Sequence, residues 1–346
     1  MEERLKEFFG REINLEERLY FYDYIENYIK DNVKSWDISP DTDSMAASFA
    51  AKISAMPTKD FCFLLSSAGY IPEFYRHDSS QETLYSKLVE VMVCEWAKRA
   101  GFIDSSLQKQ KSSKEDVTIQ LDRTIIVCDA KSFRLGRSQA APNVKDTIKK
   151  ADYDKWKESY RKQGTKDERT YNAIGGLITF PTLHRWKGKS DAYLYCTDKD
   201  DPICILFYEY LSLYLLLDQG PDKLITLFAI YPDLFPEKSK DQHTYFETII
   251  SNLFDIDKGR LTDFIKLSIE IVDEQTNHKL ELIDKEIAHL RKKVIDEVNR
   301  QEDIEQLKAK LILAETTLIS EHLRKQKNNI IKFRVTKGAT AARADT

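Results

Sequence analysis

The five cysteines among 346 residues, Cys62, Cys94, Cys128, Cys196 and Cys204, are dispersed and lack any C-x-x-C spacing. That pattern excludes a clustered thiolate zinc site and fits reduced thiols in a cytoplasmic setting. The six histidines form no ligand pattern either, so a structural zinc is not expected. No run of about 18 apolar residues exists to cross a membrane. Met1-Glu2-Glu3-Arg4 opens an acidic, amphipathic segment rather than a secretory signal. An overall basic charge is also missing, the net value being −4. What is present is 32% charged and 42% apolar residues, the balance of a soluble globular chain with room for one large domain and an appendage, or for two domains.

Val117 to Leu121 and Thr124 to Cys128 are short, β-branched-rich runs separated by the polar pair Asp122-Arg123. The pattern predicts an antiparallel hairpin. Centred on that pair, Val117 faces Cys128, Ile119 faces Ile126 and Leu121 faces Thr124, giving one mostly apolar face fit to lie on a core. The other face sets Asp116 against Asp129. Opposed Cβ atoms lie roughly 4.5–5.5 Å apart, close enough for both carboxylates to share one hard divalent cation. Lys131, two positions on, points to the same side.

Asp-x-Lys at a strand end commonly marks no more than a solvated edge. An Asp facing another Asp differs, because like charges across a ladder destabilise it unless something compensates. Two carboxylates can bind Mg²⁺ while leaving positions for water and a phosphate oxygen. Lys131 beside them could orient that water, help take its proton, or neutralise charge building on phosphorus. The expectation is a metal-dependent nuclease site.

The run Val127-Cys128-Asp129-Ala130-Lys131-Ser132-Phe133-Arg134-Leu135-Gly136-Arg137 resembles the catalytic strand of HindIII-type restriction endonucleases, within the PD-(D/E)XK nuclease superfamily. Ile71-Pro72-Glu73, Ser80-Gln81-Glu82, Leu84-Tyr85-Ser86-Lys87, Phe180-Pro181 and Phe207-Tyr208-Glu209-Tyr210-Leu211 follow in matching order. The resemblance covers roughly residues 60 to 260. One departure is Glu115-Asp116, where the superfamily's Pro-Asp has lost its proline and kept its metal-binding aspartate. The resemblance implies Asp116, Asp129, Lys131 and Glu90 as catalytic residues. As metal ligands it implies Asp116, Asp129, the backbone carbonyl of Ala130 and, in the outer shell, Glu90. It further implies a type II enzyme that uses Mg²⁺ to cut double-stranded DNA at a short palindrome, with AAGCTT as a candidate, leaving 5′-phosphate ends. A twofold homodimer suits such a site. A repair or branched-DNA nuclease with the same triad and no fixed sequence, and a non-enzymatic helical scaffold, are the alternatives.

Glu90 falls on a helix expected to start at an N-cap Ser80 and to end at Gly101, with Leu84, Leu88, Val91, Met92 and Trp96 at helical spacing. Glu82 reads as a capping residue near the helix dipole rather than a ligand. Between Lys131 and Lys162, ten basic residues face four acidic ones, an excess of six beside the candidate site. Such an excess can draw in a phosphate backbone. Ser132, Arg134, Arg137 and Lys145 are the candidate DNA contacts, and His184 is placed in a loop.

The fold class expected is α/β, a mixed central β-sheet flanked by helices in a restriction-endonuclease-like core, with helical N-terminal and C-terminal subdomains. The divisions read as 1–70 helical, 71–257 nuclease core, 258–336 long-helix subdomain and 337–346 a small polar tail. Helices are expected over 15–36, capped by Asn14 with Glu17, and over 41–56, 58–68, 143–163 and 209–217. Strands are expected at 174–180 and 203–207. From 258 the chain turns helical and charged. Leu280, Ile283, Ile287, Leu290 and Val294, then Ile304, Leu307, Leu311 and Leu318, suit a helical hairpin or a coiled-coil contact.

Overall fold

The computed structural model describes residues 3, 6, 13–72, 74–108, 114–134, 150–166, 171–181, 196, 202–235, 244–300 and 304–318. Arg137, Lys145, His184 and the 337–346 tail lie outside the described residues. Residues Met1–His278 form one compact unit and Lys279–Thr346 a second.

The N-terminal helices are α1 (Leu15–Tyr22), α2 (Tyr24–Asn32), α3 (Thr42–Ser54) and α4 (Thr58–Ser66). Asn14 caps α1 as expected, its side chain accepting the Glu17 N–H at 2.9 Å. The single helix expected over 15–36 is broken at Asp23, which ends α1 and begins α2. A tertiary contact holds the break, since the Asp23 carboxylate meets His278 Nε2 at 2.7 Å.

Helix α5 (Ser80–Arg99) follows the short strand β1 (Tyr70–Ile71). Its N-cap is Ser79 rather than Ser80: Ser79 accepts the Glu82 N–H, and Glu82 in turn accepts the Asp78 N–H at 2.7 Å. Glu82 therefore does cap the helix. At the other end Gly101 takes φ +94. Its N–H bonds Lys98 O while that of Phe102 bonds Ala97 O, the paired bonds of a Schellman stop.

The main sheet runs β2 (Ser106–Leu107), β3 (Val117–Leu121), β4 (Thr124–Ala130), β6 (Asn172–Phe180), β7 (Ile203–Phe207). The first three strands are antiparallel, and β4, β6 and β7 are parallel. Strand β5 (Phe133–Arg134) leaves this sheet to pair with β1. The later helices are α6 (Lys150–Lys166), α7 (Tyr208–Leu216), α8 (Pro221–Leu234), α9 (Thr244–Leu253) and α10 (Lys258–Asn299). A mixed sheet flanked by helices is the architecture the sequence predicts.

Gly175 and Gly176 show how closely those helices approach. A Cβ on Gly175 would come within 2.4 Å of the Phe228 ring from α8, and one on Gly176 within 2.4 Å of the Tyr153 ring from α6. Neighbouring residues of a strand point to opposite faces, so a helix is seated tightly on each side of β6. The first part of α10 packs within the first unit, burying Phe264, Leu267, Ile271 and Val272.

Candidate active site

The hairpin carries the register that the sequence predicts, with Val117 opposite Cys128, Ile119 opposite Ile126 and Leu121 opposite Thr124. Asp122 enters the left-handed region at φ +50. Its N–H is taken by Asp104 Oδ2 at 2.9 Å, and the Gln120 side chain holds its carbonyl at 2.7 Å. An Asp-Arg turn is thus secured from outside itself.

At the far end the ladder loosens. The Asp116 N–H donates to Cys128 O at 3.0 Å, and the Asp116 carboxylate accepts the Ala130 N–H through Oδ2 at 2.9 Å. The two aspartates are still brought together, close enough for Asp129 to help raise the Asp116 carboxyl. Lys131 Nζ stands 2.6 Å from Asp129 Oδ2. Backbone bonds fix Lys131: its N–H donates to Thr179 O at 2.9 Å, and its carbonyl accepts Tyr208 Oη at 2.8 Å.

Glu90, buried on α5, also faces this group electrostatically. Its Oε2 accepts Lys87 Nζ at 2.8 Å, and the same ammonium donates to Gln108 O at 3.1 Å. Burial first, then Glu90 and Asp129, push the Asp116 carboxyl well above the usual carboxylate range. Burial alone would lower the Lys131 ammonium, but Asp129, Asp116 and Glu90 outweigh it and the net shift is upward. Asp116, Asp129 and Glu90 face two lysines, Lys131 and Lys87, so with all five ionised one negative charge is left unbalanced.

Other residues extend the cluster. Ser132 Oγ and Tyr153 Oη are buried with no hydrogen-bond partner among the described residues. The Tyr153 phenol is held up by burial and then by Asp129, so it keeps its proton. Glu115, in the place of the superfamily's proline, is buried and accepts Tyr160 Oη from α6, Thr118 Oγ1 at 2.8 Å and Gln108 Nε2 at 3.3 Å. Arg134 does not reach outward as a groove contact would. Its Nη1 donates to Pro72 O at 2.9 Å and its Nη2 lies 3.5 Å from Glu82, because β5 is drawn in beside β1. Lys157 of the basic stretch is likewise buried, whereas Arg161 and Lys162 are exposed beside Glu158.

Sequence reasoning did not assign roles to Lys87, Glu115, Tyr153, Tyr160 or Tyr208. Lys87 and Tyr208 stood within matching motifs, Tyr208 in an apolar stripe that reads as core, and Glu115 stood in place of the superfamily's proline.

Among the described residues no group of three or more His, Cys, Asp or Glu side chains stands arranged to hold a metal ion. The internal donors account for this: Ala130 N–H engages Asp116, Lys131 engages Asp129 and Lys87 engages Glu90. The donor set is nonetheless all hard oxygen, and its excess negative charge suits a divalent cation.

The fold and this hairpin define the class, an α/β nuclease with a restriction-endonuclease-like core. The family model described as HindIII restriction endonuclease matches residues 26–322, and the chain belongs to that family of site-specific deoxyribonucleases. It is 24% identical over 255 residues to the type II restriction enzyme HindIII of Haemophilus influenzae, covering 70% of this chain and 77% of that protein.

Proposed function

We propose that this type II restriction endonuclease hydrolyses phosphodiester bonds of double-stranded DNA at a short palindrome with Mg²⁺, leaving 5′-phosphate ends. The observation that carries this reading is the meeting of Asp116, Asp129 and Lys131 at the end of β4, with Glu90 facing them from α5. Asp116, Asp129 and the Ala130 carbonyl would hold the ion, with Glu90 in its outer shell. What magnesium supplies when bound is positive charge, which lowers the pKa of water and offsets the charge of the phosphate.

The protein's own groups divide the remaining work. Lys131, 2.6 Å from Asp129, orients the attacking water or helps take its proton, and neutralises charge developing on the phosphate oxygens. Tyr208 and Thr179 fix its backbone, limiting the rotamers from which the ammonium can act. Lys87 holds the Glu90 carboxylate in place. Arg137 and Lys145 are the proposed DNA contacts, joined by the exposed Arg161 and Lys162 of α6, whereas Ser132 Oγ is buried beside the candidate site. Arg134 serves instead to fix β5 against the start of α5.

A palindrome calls for a twofold arrangement, so the working enzyme is a homodimer in which each subunit cuts one strand. The family resemblance makes AAGCTT the first sequence to test. Plasmid digestion with Mg²⁺, followed by sequencing of the ends, tests this reading. Discrete fragments sharing one end sequence and bearing 5′ phosphates are expected. Cutting without a common end sequence would instead indicate a repair-type nuclease.

A further inference from the structure

Beyond His278, α10 sets Leu280, Ile283, Ile287, Leu290 and Val294 at strict three-four spacing. Four of these, Leu280, Ile287, Leu290 and Val294, are 51–57% exposed. In the helical segment 304–318 the stripe resumes with Ile304, Leu311 and Leu318, exposed by 62–70%. Apolar side chains at this spacing ordinarily form a seam against another helix.

We propose that the α10 stripe is the seam of a parallel, two-stranded coiled coil with a second copy of this chain. This deepens the homodimer of the preceding reading by naming its surface. With Leu280, Ile287 and Val294 at the first core position of each heptad, Ile283 and Leu290 take the second. β-Branched residues at the first position with leucine at the second favour two parallel strands; Ile287, Leu290 and Val294 follow that rule, while Leu280 with Ile283 reverses it at the start of the seam.

The flanking charges agree. Lys279 and Glu286 precede the core positions, while Asp284 and Arg291 follow them. In a parallel pair, each preceding residue meets the following residue five positions further along the other helix. Lys279 then meets Asp284 of the second copy, and Glu286 meets Arg291. Both pairs are of opposite sign, and symmetry supplies each twice. A chain paired with itself in this way needs no other protein to complete the seam.

The test is the concentration dependence of mass for the full-length protein, measured by sedimentation equilibrium. Glu286→Lys and Arg291→Glu should each raise the dimer dissociation constant about tenfold, since two attractions become repulsions. The double variant should dimerise like the wild type, and so should an equimolar mixture of the two single variants. A wild type that stays monomeric overturns the proposal. A dimer indifferent to the single reversals, or a double variant that is not restored, does so equally. Mass is read without substrate, so this result is separate from the outcome of the cleavage experiments.

Discussion

Arg18, Glu274 and Tyr22 form one cluster of charge in the first compact unit, and Asp116, Asp129, Glu90 and Lys131 form another with the opposite electrostatics. In the first, Arg18 Nε meets Glu274 Oε2 at 2.7 Å, Arg18 Nη2 meets Oε1 at 2.9 Å and Tyr22 Oη donates at 2.7 Å. Burial would raise the Glu274 carboxyl, but the bonds from Arg18 and Tyr22 outweigh it and hold it below its usual value. In the second, burial and neighbouring carboxylates drive Asp116 upward. One cluster completes its charges and ties α1 to α10. The other crowds Asp116 against two further carboxylates, an arrangement that fits the cation proposed for it.

Substitutions should separate these two roles, beginning with the largest effect. Asp116→Asn retains an oxygen to accept the Ala130 N–H while removing a crowded charge. Cleavage should fall by about 10²–10³-fold or more, whereas stability in a thermal melt should rise by about 1 kcal/mol. A variant both inactive and destabilised would break the contrast.

Glu274→Ala should do the reverse. It leaves the Arg18 guanidinium buried without its partner and should cost about 3 kcal/mol in urea denaturation. Cleavage per folded molecule should remain unchanged.

The smallest effect is the pH dependence. Glu274 has a lowered folded-state pKa, so its contribution is full above the unfolded value and is lost as pH falls through the folded value. Asp116 has a raised one, so its penalty is full above the folded value and fades as pH falls towards the unfolded value. On acidification through the carboxylate range, the stability advantage of wild type over Glu274→Gln should shrink. The advantage of Asp116→Asn over wild type should shrink as well, beginning at higher pH. Denaturant titrations across that range would check both, and a coincident onset would argue against the opposite shifts.

The hairpin was legible because alternation and a symmetric two-residue turn are local properties. Even there, the Asp104 contact that secures Asp122 comes from 18 positions away, beyond the reach of any turn rule. Gly101 announced the end of α5, whereas the N-cap expected at Ser80 falls on the adjacent Ser79. The break at Asp23 carried no local signal, and the partner its carboxylate meets there, His278, lies 255 positions away on α10. At the site, sequence order supplied Asp116, Asp129 and Lys131 but not the bonds that position them. Tyr208 read as core and is fully buried, yet its hydroxyl is bound to the Lys131 carbonyl. Lys87 sat within a matching motif, but its pairing with Glu90 and with Gln108 emerges only once α5 is seated beside β2. Arg134 carried the charge expected of a DNA contact, and the pairing of β5 with β1 turned it inward.

The most direct test of the central claim is the Mg²⁺-dependent rate of plasmid cleavage by wild type and by Asp129→Ala, each shown by its melting curve to be folded. The site described here predicts discrete fragments from the wild type and a loss of at least about 10²-fold in the variant. Equal rates from two folded proteins would place the chemistry elsewhere and contradict it.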